Sequence, residues 1–151
     1  MADSLTPELK TAVQDSWKLV RKDMKANAMD FFVTFFTRHP DYQKLFKDFK
    51  DKSTESLPED QKFRGHAVRV FFAITSLVDN LDDLEVVVSI LQKTVSDHSP
   101  RGVTAKHYEN LFATILHFLE TKLGAQFDGQ WRQGWEVTAK VILSVIHGEL
   151  Q

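Results

Sequence analysis

Cysteine is absent from this 151-residue chain. Its absence excludes disulfides, thiolate metal sites and thiol nucleophiles, and it suits a reducing cytosol. Glycine, with 6 residues, and proline, with 4, are sparse, and no repeat, linker or low-complexity segment divides the chain. No apolar run approaches the ~20 residues of a membrane helix. Neither sign of charge dominates, since the formal net charge is -2 and the pI is about 6.3. No basic stretch marks a nucleic-acid footprint and no acidic tail marks a solvating arm. The polar start, Met1 to Lys10, lacks the apolar core of a signal peptide, so a cytoplasmic, intracellular location is expected. Sustained apolar–polar alternation is also missing, which removes the main signal for strands.

Helical signals fill the chain instead. Thr6-Pro7-Glu8 combines an N-cap, a proline at the first helical position and an acid in the first turn. Leu9, Val13, Trp17 and Val20 then recur at helical spacing. A second helix is expected from about Lys25 to Arg38, halted by Pro40, with a short helical turn from Asp41 to Phe46. The charged stretch Lys47 to Leu57 reads as a surface loop. Pro58 is expected to open a long helix to about Asp79, Asp82 or Asp83 to cap one ending at His98, Thr104 one to about Lys122, and Asp128 one to about Gly148. The expected class is therefore all-α, with about seven to eight helices. A length of 151 residues suits one domain over residues 1–151, able to bury roughly 68–70% of its unfolded surface. Phenylalanine is the abundant aromatic, 12 against 2 tyrosines, and clusters at Phe31, Phe32, Phe35, Phe36, Phe46 and Phe49, then at Phe63, Phe71 and Phe72.

Two histidines carry the chemistry. His66 lies in the helical run Phe63-Arg64-Gly65-His66-Ala67-Val68-Arg69-Val70, and His98 ends the run Leu91-Gln92-Lys93-Thr94-Val95-Ser96-Asp97-His98. Each aligns with apolar residues at helical spacing. Facing helices would leave a dry slot with one nitrogen ligand on each side, as a haem protein needs. Pro100 is expected to bias Ser99 out of the helix and leave the last carbonyls without amide partners. Thr94, four residues before His98, can accept its second ring N–H through its carbonyl or hydroxyl. The bland alternatives are a helix-capping histidine at 98 and a surface histidine at 66. His39, His107, His117 and His147 read as surface or satisfied histidines, and no pair has zinc-site spacing. Trp131 and Trp135, four residues apart, face the core or a subunit contact.

In order and separation these elements resemble a globin over essentially the whole chain: Trp17 within the first helix, Arg38-His39-Pro40 with Phe46 six residues past the proline, His66 with Val70 four residues on, then His98, Val103 and Tyr108. The segment from His98 to Val103 is one residue shorter than in vertebrate oxygen carriers, and with Phe32 it looks more like an invertebrate intracellular globin. The resemblance implies a globin fold around haem b, with His98 as proximal iron ligand and His66 as distal residue, acting through a bound ligand or on the iron directly. It implies that Phe46 stacks on the haem, that Val70 and Phe32 wall the ligand pocket, and that Val103 and Tyr108 touch the haem. Arg69, three residues past His66, is a candidate for a propionate or for the ligand, and Arg101 a weaker propionate candidate. Ala28 and Ala67 fall where globins place small residues at a close helix crossing.

The function so implied is reversible binding of dioxygen, or of other small diatomic ligands, for storage or transport. No nucleic-acid or membrane partner is expected, and either a monomer or a homodimer suits the chain. Three other readings compete. Peroxidase, nitric-oxide dioxygenase or nitrite reductase activity would use a mobile distal histidine as acid or base, with an outside electron donor. A six-coordinate sensor or redox protein would have His66 on the iron. A helical interaction domain would take up no haem at all.

Overall fold

The computed structural model describes residues 4–150; the ends of the expected 1–151 domain, residues 1–3 and 151, lie outside the described residues. Seven α-helices and three short 3₁₀ segments make up the fold, and there is no strand among the described residues. The helices are α1 (Pro7–Arg21), α2 (Met24–Arg38), α3 (Pro40–Gln43), α4 (Gln61–Asp79), α5 (Leu84–His98), α6 (Ala105–Leu123) and α7 (Gln130–Glu149). The 3₁₀ segments are Thr54–Glu59, Ser99–Arg101 and Gly124–Phe127. Among the described residues no helix is long and apolar enough to cross a membrane.

Local chemistry sets most of the boundaries. Thr6 Oγ1 accepts from the Leu9 amide at 3.2 Å, and Asp83 Oδ1 accepts from the Val86 amide at 3.3 Å. Four expectations need correction. Pro58 does not open α4: it lies inside the 3₁₀ turn, and Asp60 caps the helix by accepting from the Phe63 amide at 2.9 Å. Segment 47–57 is not wholly a surface loop, because Phe49 and Leu57 turn inward and are buried. Gly129, at φ 77°, is the N-cap of α7, while the carboxylate of Asp128 reaches Arg132 at 3.3 Å. Ser99 stays in the right-handed helical region, its amide donating to the Val95 carbonyl. Pro100 then fits the first turn of a 3₁₀ segment, where a missing N–H costs nothing, and Gly102 ends it at φ 83°.

Helices of this length are marginal alone and gain stability from burying one face. α1 packs on α7 and α4, α2 on α4 and α6, and α7 also on α5 and α6. Gly134 permits the α1–α7 crossing: a Cβ there would stand 2.8 Å from the Leu9 carbonyl oxygen and 3.1 Å from a Val13 methyl. Ala28 and Ala67, on the paired helices α2 and α4, are fully buried. Two buried indoles meet between α1 and α7, Trp17 and Trp135, with ring centroids 5.5 Å apart. Trp17 Nε1 donates to Thr75 Oγ1, and Trp135 Nε1 to Ser16 Oγ, each at 2.8 Å. Each hydroxyl in turn donates to a carbonyl of its own helix, Phe71 and Ala12, at 2.8 Å. Trp131 is half-buried against the same core.

The core divides in two. One cluster gathers the four phenylalanines of α2 and Phe63 and Phe71 of α4 with Trp17, Trp135 and Phe118, while Phe72 of α4 is exposed. The other joins Leu77 to Val87, Leu91 and Val95 of α5, Tyr108 and Phe112 of α6, and Ile142 and Ile146 of α7.

Candidate functional site

A cavity of about 450 Å³ opens between the two clusters, within the roughly 300–1,000 Å³ of small-molecule and cofactor sites. Phe32, Phe46, His66, Arg69, Val70, His98, Val103 and Tyr108 all line it, and so does Arg101. α2 and α4 supply one wall, α5 and the start of α6 the other.

His98 enters as the last residue of α5. Its Nδ1 lies 2.7 Å from the Thr94 carbonyl oxygen, so the ring donates there and presents Nε2 without a protein partner. Thr94 Oγ1 is not the acceptor, since it donates to the Ile90 carbonyl at 2.9 Å. Of the two acceptors that helical spacing offers, the carbonyl is used, which fixes the tautomer and orients the ring.

His66 enters from the middle of α4. The Phe32 ring meets it edge-on at 4.9 Å and the Phe46 ring at 4.6 Å, with Phe49 behind at 6.3 Å. Its Nε2 is buried with no hydrogen-bond partner. Burial first, then the positive charge of Arg69, and then His98 and Arg101, push the imidazole from its ordinary 6.5 down to about 4. The ring is therefore neutral at physiological pH and carries a single N–H. An unpaired buried polar atom costs about 1–3 kcal/mol, and a site facing a cavity is where such a cost finds a purpose.

Arg69, on the next turn of α4, is exposed at the cavity rim and makes no hydrogen bond or ion pair among the described residues; the same holds for Arg101. Asp97, the acid on this rim, is engaged by Lys93 at 3.1 Å. The mouth thus carries unspent positive charge. On the opposite side the Tyr108 hydroxyl is buried without a partner, and burial pushes its pKa up to about 12.

Sequence reasoning missed the wall formed by Tyr42 and His107. Tyr42 stacks on His39 at 4.8 Å and meets the His107 ring edge-on at 4.5 Å. Its hydroxyl accepts from Asn110 Nδ2 at 2.7 Å, across 68 residues of sequence. His107 Nδ1 accepts from the Thr104 amide at 2.8 Å, so this histidine is satisfied, yet it also borders the cavity. Partial burial holds its pKa, and that of His39, below the ordinary value. No local pattern announces the Tyr42–His107 and Tyr42–Asn110 contacts, because each joins α3 to α6. His147 is likewise satisfied, 3.0 Å from Glu109. No group of three or more ligating side chains that could hold a metal ion occurs among the described residues.

An all-helical fold with one histidine on each side of an apolar cleft defines a narrow class. The globin family model matches residues 29–146. A globin of Nerita albicilla is 32% identical over 146 residues, 97% of this chain and 93% of that protein. Hemoglobin-3 of Phacoides pectinatus is 30% identical over 137 residues, 90% and 88% of the two chains. The fold superposes with a TM-score of 0.87 on a hexacoordinated haem protein of an anhydrobiotic tardigrade, at 20% identity, covering 96% of this chain and 94% of that one. The chain belongs to the globin family, with similar relatives among gastropods, bivalves and a midge.

Proposed function

We propose that this globin binds haem b in the cavity and takes up dioxygen or other small diatomic ligands reversibly, for storage or transport. One observation carries the reading: the cavity holds two imidazoles in complementary states. His98 has one nitrogen committed to a backbone carbonyl and the other free, while the buried Nε2 of His66 has no partner. The rest of the lining fits the same group. Its walls are apolar and aromatic, and Arg69 and Arg101 stand unpaired at the rim, where the two propionates of a haem would need cations.

In this reading His98 holds the iron through Nε2, and the Thr94 carbonyl raises the basicity of that ligand. Phe46 and Val70 pack against the macrocycle, with Val103 and Tyr108 on the far wall. Phe32 narrows the ligand pocket and excludes water. Bound haem supplies the redox-active iron and its affinity for diatomic gases, which no side chain here provides. His66, neutral and desolvated, donates its N–H to a small ligand bearing partial negative charge, an interaction on the order of 1 kcal/mol or more in a water-poor pocket.

The same unpartnered Nε2 favours a second reading, in which His66 itself takes the sixth position on the iron and the protein serves as a sensor or redox carrier. Visible absorption separates the two. Purified protein is loaded with haem, reduced under nitrogen and then exposed to air. One broad ferrous band that splits in air and returns under nitrogen is expected for the oxygen carrier, whereas split bands already present under nitrogen establish the six-coordinate protein. His98→Ala is expected to lose haem retention, and an unchanged spectrum in that variant would remove His98 from the iron.

A further inference from the structure

We propose that Gln43 is a positioning residue for His66, acting through the segment that follows it. Gln43 is only 6% exposed, unusual for a glutamine, and sits at the end of the four-residue helix α3. Its Nε2 donates to two carbonyls of the same downstream segment, Phe49 at 2.9 Å and Lys52 at 2.7 Å. Its Oε1 accepts from Thr54 Oγ1 at 3.5 Å. Both amide protons and the amide oxygen are therefore used within eleven residues of chain, in a stretch that has no α-helix.

What this tie holds in place is the aromatic brace on His66. Phe46 and Phe49 lie within the tied segment, stacked on one another at 5.1 Å and 12°. Both rings meet His66, at 4.6 and 6.3 Å. The segment is fastened a second time at its far end, where Lys52 pairs with Asp60, the residue whose other carboxylate oxygen caps α4. α4 carries His66. The chain from Gln43 to Asp60 thus forms a closed frame: one end is tied by an amide, the other by an ion pair, and two rings press inward on the imidazole. The ion pair is exposed on its lysine side and is worth little on that account. The buried Gln43 amide is the stronger fastening: it supplies the donor to the Lys52 carbonyl and a second donor to the Phe49 carbonyl, which also accepts from the Lys52 amide at 3.2 Å. Removing it frees Phe46 and Phe49 to withdraw, and His66 then moves away from the mouth of the cavity more often.

The ligand readout of this inference rests on the haem reading; the tie itself does not. The test compares wild type with Gln43→Met, which keeps the length of the side chain and removes every hydrogen bond. Gly134→Ala serves as the control, since it strains the distant α1–α7 crossing and touches neither frame nor cavity. Amide hydrogen exchange over residues 44–54 is measured in haem-free and haem-loaded protein, and carbon monoxide association with the ferrous protein is followed after flash photolysis. Q43M is expected to speed exchange in that segment tenfold or more and carbon monoxide association threefold or more, while G134A leaves both at the wild-type values. Unchanged exchange overturns the tie. Faster exchange with unchanged association, or an equal effect of G134A, reduces Gln43 to ordinary structural support and overturns the positioning role. Should Q43M fail to fold, Gln43→Glu takes its place: its carboxylate is repelled by the two carbonyls, whereas its protonated form donates one hydrogen bond. Association in Q43E, taken as a ratio to wild type at each pH so that the titration of His66 cancels, is expected to fall toward one as pH drops, and a pH-independent ratio overturns the proposal. If wild type takes up no haem, the functional reading fails by itself, and exchange in the haem-free protein still decides the tie.

Discussion

His66 shows how an ordinary side chain is made unusual by its surroundings. Between Phe32 and Phe46, with Arg69 beyond, it resists protonation down to about pH 4. The unfolded chain takes up that proton near 6.5, so across the window from about 6.5 to 4 protons favour unfolding. Stability of the haem-free protein is expected to fall as pH drops through that window, by on the order of 3 kcal/mol for this residue, taking 1.36 kcal/mol per pH unit. His39 and His107 shift in the same direction, so the contribution of His66 is read as a difference: denaturant unfolding of His66→Leu should lack that part of the slope. An identical pH dependence in the variant would mean that the ring is solvated in solution. In the haem-loaded protein the same substitution is expected to raise the dioxygen off-rate roughly tenfold, the equivalent of about 1.4 kcal/mol. An unchanged off-rate would assign control of the ligand to Arg69 or Phe32.

Among the helices, Gly134 is the glycine with least room for a side chain. Its added methyl group would meet the backbone oxygen of Leu9, which cannot swing aside as a side-chain tip can. Gly134→Ala is expected to cost about 1–3 kcal/mol despite the better helix propensity of alanine, seen as a lower thermal midpoint; an equal or higher midpoint would mean that the α1–α7 crossing relaxes freely. The same scale shows what can be read from sequence. The starts of α1, α5 and α6 are legible, because Thr6, Asp83 and Thr104 act on amides within three residues. The start of α4 is not, because Pro58 and Asp60 both carry start signals two residues apart, and the 3₁₀ turn decides between them. The cavity histidines are legible from apolar spacing and the order of landmarks along the chain. The Tyr42–Asn110 bond and the inward turn of Phe49 and Leu57 are not, since they exist only once distant helices meet.

At the scale of the whole molecule, the cavity divides the core instead of lying at its edge. Each cluster is apolar in its own right, but between them lies a cavity of about 450 Å³ bordered by two buried polar atoms without protein partners, on His66 and Tyr108. A ligand that binds only the folded chain and spans that space stabilises both halves together. At a free haem concentration about one hundred times the dissociation constant, the gain is about 2.7 kcal/mol, or roughly 5–10 °C in the midpoint of thermal unfolding. Calorimetry with and without haem measures it, and no upward shift would exclude haem as the occupant.

The paired indoles carry one further consequence. Trp17 and Trp135 lie 5.5 Å apart, sealed from water, in the same cluster as Phe32, with Val70 and Phe46 packed against it. Their emission is therefore that of a desolvated fluorophore pair, in the cluster whose Phe32 lines the cleft. A strongly absorbing pigment there would take up that energy before it could be radiated, so the protein carries its own optical gauge of occupancy, dark when filled and bright when empty.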